Sequence, residues 1–155
     1  MTASTTITEV FNDLIKINND RIIGYQKAIE NTKELDLDLK AVYTQMVNQS
    51  INIVEELKTE VLRYGGEVET DTTLAGKVYR VWMDVKATFS GHDRISSLDA
   101  CEFGEDAAQK AYKMALESDA EITADARKMI LDQQSSLKTS HDIIKKYRDA
   151  NKAIA

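Results

Sequence analysis

Apolar residues recur at helical spacing along most of the chain. Ile7, Val10, Phe11, Leu14, Ile17, Tyr25, Ala28 and Ile29 fall on one stripe at 100° per residue. Thr6 and Glu9 stand at capping-box spacing at its start, so the pattern predicts a helix over residues 6–32. A second stripe, from Leu39, Val42, Tyr43 and Met46 through Ile53, Val54, Leu57, Val61 and Tyr64, predicts a helix over 37–64. Gly65-Gly66 comes directly after it and supplies a stop. Residues 67–73 are polar and loop-like, with Asp71, Thr72 and Thr73 as candidate N-caps. They lead into a shorter amphipathic helix carrying Leu74, Val78, Val81, Trp82, Val85 and Phe89. Two more long helices complete the pattern. One covers 93–118 with Ile95, Leu98, Tyr112 and Leu116 inward, and one covers 123–152 with Ala126, Met129, Ile130, Leu137, Ile144 and Tyr147 inward. No alternating run of strand type occurs.

Four helices of roughly 26–30 residues are each about 40 Å long. Short turns join the first pair and the last pair, which makes each an antiparallel hairpin. Residues 65–92 are long enough to run the length of the bundle. The expected fold is therefore all-α: a ferritin-like four-helix bundle with a long crossover containing a short extra helix. A simple five-helix bundle is the alternative. The chain reads as a single domain over residues 1–155, with 1–5 as a disordered tail.

Composition narrows the function classes. The chain has no proline, so nothing interrupts long helices. Its net charge of −6 disfavours nucleic acid, because phosphate binding needs a basic face. No signal peptide and no run of about 18 apolar residues is present, which points to a cytoplasmic protein with no membrane contact. Cys101 is the single cysteine and cannot form an internal disulfide; a small core residue is its expected role. No Ser-His-Asp pattern, glycine-rich phosphate loop or CxxC motif is present, and no catalytic residue is assigned.

The polar residues on inward faces carry the remaining chemistry. A di-metal centre in such a bundle takes a Glu from each of two helices and a Glu-x-x-His from each of the others. Helix one instead offers Arg21 in mid-stripe, with Glu30 off it, and helix two offers Ser50, with Glu56 and Glu60 at the edges. Helix three places Glu105 near the stripe centre, with Glu102 and Gln109 beside it. Helix four turns Gln133 and Ser140 inward, with His141 at the edge and Lys138 where Glu-x-x-His would need a carboxylate. These positions support two readings. In the favoured one no metal or other cofactor is held, and Arg21 and Glu105 form an interior polar pair. In the alternative, Glu102, Glu105 and His141 bind iron or manganese, completed by a second subunit. His92 reads as a local helix-start residue, Trp82-Met83 as packing of the crossover helix, and Gly24 and Gly104 as points of close helix approach.

Gly24-Tyr25, Gly65-Gly66, Trp82-Met83-Asp84-Val85-Lys86-Ala87, Cys101-Glu102-Phe103-Gly104-Glu105-Asp106-Ala107 and His141-Asp142 together give the chain a resemblance. It resembles the bacterial ferritin-like four-helix-bundle proteins grouped as a domain of unknown function, of the type first noted in Pseudomonas. The resemblance implies a ferritin-like fold and no particular activity. The chain departs from ferritins, bacterioferritins and the starvation-induced DNA-binding bundles at the metal ligands. The expected function is a non-catalytic bundle, stress-related and self-associating, with a homodimer favoured. Ile15, Ile22, Val47, Ile51 and Ile143, toward the flanks of the stripes, are the expected cover for a dimer interface or the crossover helix. A small apolar ligand held between the helices is a third reading.

Overall fold

Among residues 6–32, 34, 36–69 and 94–154, which the computed structural model describes, all regular structure is helical. The helices are α1 (Ile7–Asn31), α2 (Leu37–Arg63), α3 (Arg94–Leu116) and α4 (Ala124–Ile154). The helix expected over 74–89, with Trp82-Met83, together with His92 and the tail 1–5, lies outside the described residues.

Local chemistry sets the helix ends. The Thr6 hydroxyl accepts the Glu9 amide at 3.1 Å and starts α1. Thr123 does the same for Ala126 at the start of α4, at 3.2 Å. α2 closes in a Schellman turn: Gly66 N–H reaches the Val61 carbonyl and Gly65 N–H the Leu62 carbonyl, both at 3.0 Å. Gly65 takes φ +76°, where a Cβ is costly. Gly66 is needed for a different reason, since a Cβ there would sit 2.7 Å from the Thr8 methyl. α3 stops slightly before its expected end because Ser118 turns its hydroxyl onto the Ala115 carbonyl at 2.8 Å.

Cross-helix bonds define the topology. Arg94, opening α3, pairs with Asp36 and Asp38 at the start of α2, and Ser97 bonds Tyr43 at 2.7 Å about one turn on. α2 and α3 therefore run parallel, and the chain between them joins opposite ends of the bundle. α1 and α3 run antiparallel, with Asn18 at Tyr112 and Arg21 at Glu105. α4 runs antiparallel to α2, with Thr123 beside Tyr64 and Ser136 beside Gln49.

The core fills the space between the four helices. Phe11, Leu14, Tyr25, Tyr43, Leu57, Leu98, Tyr112, Ile130, Leu137 and Ile144 are essentially inaccessible to solvent. Each such aliphatic side chain contributes about 1.5–3 kcal/mol on burial. The flank residues divide. Ile15 and Val47 belong to this core and cannot cover a dimer interface, Ile22 and Ile143 are partly buried, and Ile51 is exposed; the other expected role, meeting the crossover helix, lies outside the described residues. Ile15 is enclosed because α1 is buried over a broad arc that includes Asn12 and Asp20. Asn12 also clamps the extended exit from α2, donating to the Glu67 carbonyl at 2.9 Å and accepting the Glu69 amide at 3.0 Å.

Candidate functional site

Polar residues from all four helices meet in the bundle interior. Arg21 on α1 and Glu105 on α3 form a two-point ion pair, each side chain 1 % exposed. The remaining guanidinium contacts go to α2: Nη1 donates to the Met46 carbonyl at 3.0 Å and to Ser50 Oγ at 2.7 Å, and Nη2 meets Met46 Sδ at 3.4 Å. From Ser50 the bonds continue in one direction. Ser50 donates to Asn18 Oδ1 at 2.9 Å, Asn18 Nδ2 donates to the Tyr112 hydroxyl at 3.0 Å, and Tyr112 donates to Gln133 Oε1 at 2.8 Å. Gln133 Nε2 ends the chain on the Glu56 carboxylate at 2.8 Å, at the exposed edge of α2. Every hydroxyl in it gives one bond and takes one, which fixes each rotamer.

Burial opposes the Arg21 charge, but Glu105, helped by Tyr25 and Tyr112, outweighs it and raises the guanidinium above its ordinary value. The Arg21 Cζ lies 5.2 Å from the Tyr25 ring centroid, a cation–π contact. Tyr25 and Tyr43 pack with ring centroids 5.5 Å apart. Burial is the main cause raising the pKa of Tyr25, Tyr43 and Tyr112, so all three are neutral phenols over the ordinary pH range. Glu105 adds to the effect at Tyr25, and the hydrogen bond from Asn18 moderates it at Tyr112. The arrangement locks four helices in register and presents no nucleophile beside a base.

A second polar cluster lies along the α3–α4 seam, nearer solvent. His141 Nε2 is 2.7 Å from Asp106 Oδ1 and 4.0 Å from Glu102 Oε1, while its Nδ1 is 3.1 Å from Asp142 Oδ1. Arg148 contacts Glu102 Oε2 and leaves Oε1 toward the imidazole. Asp142 also accepts from Lys138 at 2.6 Å, and these contacts, Lys138 first, lower its pKa. Lys138, four residues before Asp142, therefore serves an acid on its own helix.

The structure thus separates the three residues of the metal reading. Glu105 is turned to Arg21 in the interior, while Glu102 and His141 meet on the seam and gather Asp106. Sequence reasoning did not single out Asp106, Arg148 or Asn18. Asn18 carried a readable signal: it stands three residues before Arg21 on an otherwise apolar stripe. The groove of about 330 Å³ between α2 and α4 is open, and three of its polar residues bond one another, with Gln49 joined to Ser136 and Ser140.

A family model described as a domain of unknown function, DUF2383, matches residues 6–118. The chain belongs to this DUF2383 family. The match spans α1 to α3 and so takes in Asn18, Arg21, Ser50, Glu102, Glu105, Asp106 and Tyr112. The α4 partners Gln133, His141 and Arg148 lie beyond it. No curated protein matches the chain. Among the described residues of this DUF2383 protein, no helix is long and apolar enough to cross a membrane.

Proposed function

We propose that this DUF2383 protein is a ferritin-like bundle that acts as a non-catalytic, self-associating protein rather than as a di-iron enzyme. Parallel α2 and α3, flanked by antiparallel hairpins, support the ferritin-like connectivity. The observation that carries the functional reading is the Arg21–Glu105 pair. A ferritin-like di-metal centre draws acidic and imidazole ligands from all four helices. At that position α1 supplies a guanidinium, α2 the Ser50 hydroxyl and α4 the Gln133 amide, so Glu105 alone has the right chemistry and is already neutralised. These residues do not fit the group. Its proposed setting is the bacterial cytoplasm, with a stress-related role.

Self-association rests on the outer side of α3. Phe103 and Met114, eleven residues or about three turns apart, are 55 % and 63 % exposed on one stripe. A second copy of the chain, giving a homodimer, is the proposed cover.

Two measurements test this reading. Protein purified without chelators and then supplied with ferrous iron is expected to show no dinuclear iron centre. Two irons per chain, lost in Glu105→Gln, would overturn the non-catalytic reading. Sedimentation is expected to show a dimer that Phe103→Asp with Met114→Asp dissociates. A strictly monomeric wild type across micromolar concentrations would remove self-association.

A further inference from the structure

The imidazole of His141 is held in an unusual way: both of its nitrogens face carboxylate oxygens within hydrogen-bond distance. A neutral imidazole carries one N–H and can satisfy only one of them. With Nδ1–H given to Asp142, the Nε2 lone pair points at the Asp106 carboxylate, and a positive species is needed between them. A proton on Nε2 would serve one acceptor. Yet Glu102 Oε1 turns to the same nitrogen, so three donor atoms from two helices converge, all within 4.8 Å of one another.

We propose that Glu102, Asp106 and His141 bind one divalent transition-metal ion that staples α3 to α4. With metal–ligand bonds of about 2.1 Å, adjacent octahedral ligands lie about 3.0 Å apart and opposite ones about 4.2 Å apart. The His141 Nε2 separations of 2.7 Å to Asp106 and 4.0 Å to Glu102 lie near those two values. The surroundings suit a ligand set. Asp142 is placed to accept Nδ1–H, the tautomer that frees Nε2 for an ion, and Arg148 holds the far oxygen of Glu102 so that the near one is presented. Asp106 and Glu102 both face the ion; Glu102 shares its charge with Arg148, which engages only Oε2 and leaves Oε1 toward the imidazole. One imidazole with two carboxylates selects zinc, manganese or ferrous iron over magnesium or calcium. Water completes the coordination, because Asp106 is exposed. This ligand set lies on the seam, away from the buried Arg21–Glu105 pair, so it stands or falls independently of the non-catalytic reading.

The experiment is a titration of chelator-stripped protein with zinc chloride by calorimetry, with cobalt(II) absorption as a report on coordination. One ion per chain is expected, with a rise in Tm. Asp106→Asn and His141→Gln, both at partly open positions, should retain the helical circular dichroism and lose binding at least tenfold. Tyr112→Phe, which alters only the interior chain, should bind as wild type. Absence of saturable binding up to about 1 mM zinc, or binding that survives both seam substitutions, would overturn the proposal.

Discussion

Glu102 and Glu105 stand three residues apart on α3, and each meets an arginine from another helix. The surroundings differ. Arg21 and Glu105 are each 1 % exposed, whereas Arg148 and Glu102 are 19 % and 14 % exposed. The interior pair has further fixed partners on the guanidinium in Met46 and Ser50, and it connects onward through Asn18, Tyr112 and Gln133. The seam pair shares its partners with Asp99, Asp149 and His141, so its contacts can be exchanged one for another. The same two residue types thus give a lock where water is excluded and an adaptable cluster where water can enter.

The largest expected effect comes from breaking the lock on one side. Glu105→Ala leaves a buried guanidinium without its carboxylate and should cost about 3–5 kcal/mol in urea unfolding. Replacing both partners, Arg21→Met with Glu105→Leu, should recover most of that loss, because no charge is then stranded. A double variant as unstable as the single one would show that the pair contributes through packing alone.

High pH tests the interior without a substitution. The pKa values of Tyr25, Tyr43 and Tyr112 are raised in the fold, so the folded state holds these protons more tightly than the unfolded chain. Stability is therefore intact below the unfolded value near pH 10 and falls as pH rises beyond it, by up to about 1.4 kcal/mol per unit for each tyrosine. Tyrosinate absorbance from these three should rise together with loss of helical circular dichroism. Ionisation in a chain that stays helical would mean that the interior admits water.

Tyr112→Phe is a smaller perturbation. It removes one acceptor and one donor at the middle of the chain, leaving Asn18 and Gln133 each short of a partner, and should cost about 1–3 kcal/mol. Its amide neighbours should also lose hydrogen-exchange protection, which distant core amides should keep.

The helices were legible because stripe, cap and stop agree: Thr6 and Gly65-Gly66 mark two of the ends by chemistry within a few residues. The inward register of Arg21 and Glu105 comes from the same 100° arithmetic, since both replace apolar residues in mid-stripe. The hydrogen bonds leading away from Arg21 were not legible. Whether Ser50 meets Arg21 or Asn18 meets Tyr112 depends on how far each helix slides along its neighbour, which no single helix records. The seam was harder still. Residues at a stripe's edge, such as Asp106 and Arg148, read as solvated from one helix, and the second helix makes them neighbours. Ile15 shows the reverse limit, because a flank position is fully buried on a helix whose buried arc is wider than its apolar stripe.

The smallest expected effect is on the seam, in metal-free protein. Arg148→Ala removes the partner of Glu102, but Glu102 can rehydrate, and His141 lies within reach of it. The cost should be about 1 kcal/mol or less, and it should shrink further as salt is raised toward 1 M. Glu105→Ala should show almost no salt dependence, because screening ions do not reach a pair that is 1 % exposed. The salt slope therefore separates the two pairs more cleanly than the size of either loss. If Arg148→Ala proved as costly as Glu105→Ala and equally indifferent to salt, the seam would be a second interior, and solvent access would not distinguish the two glutamates of α3.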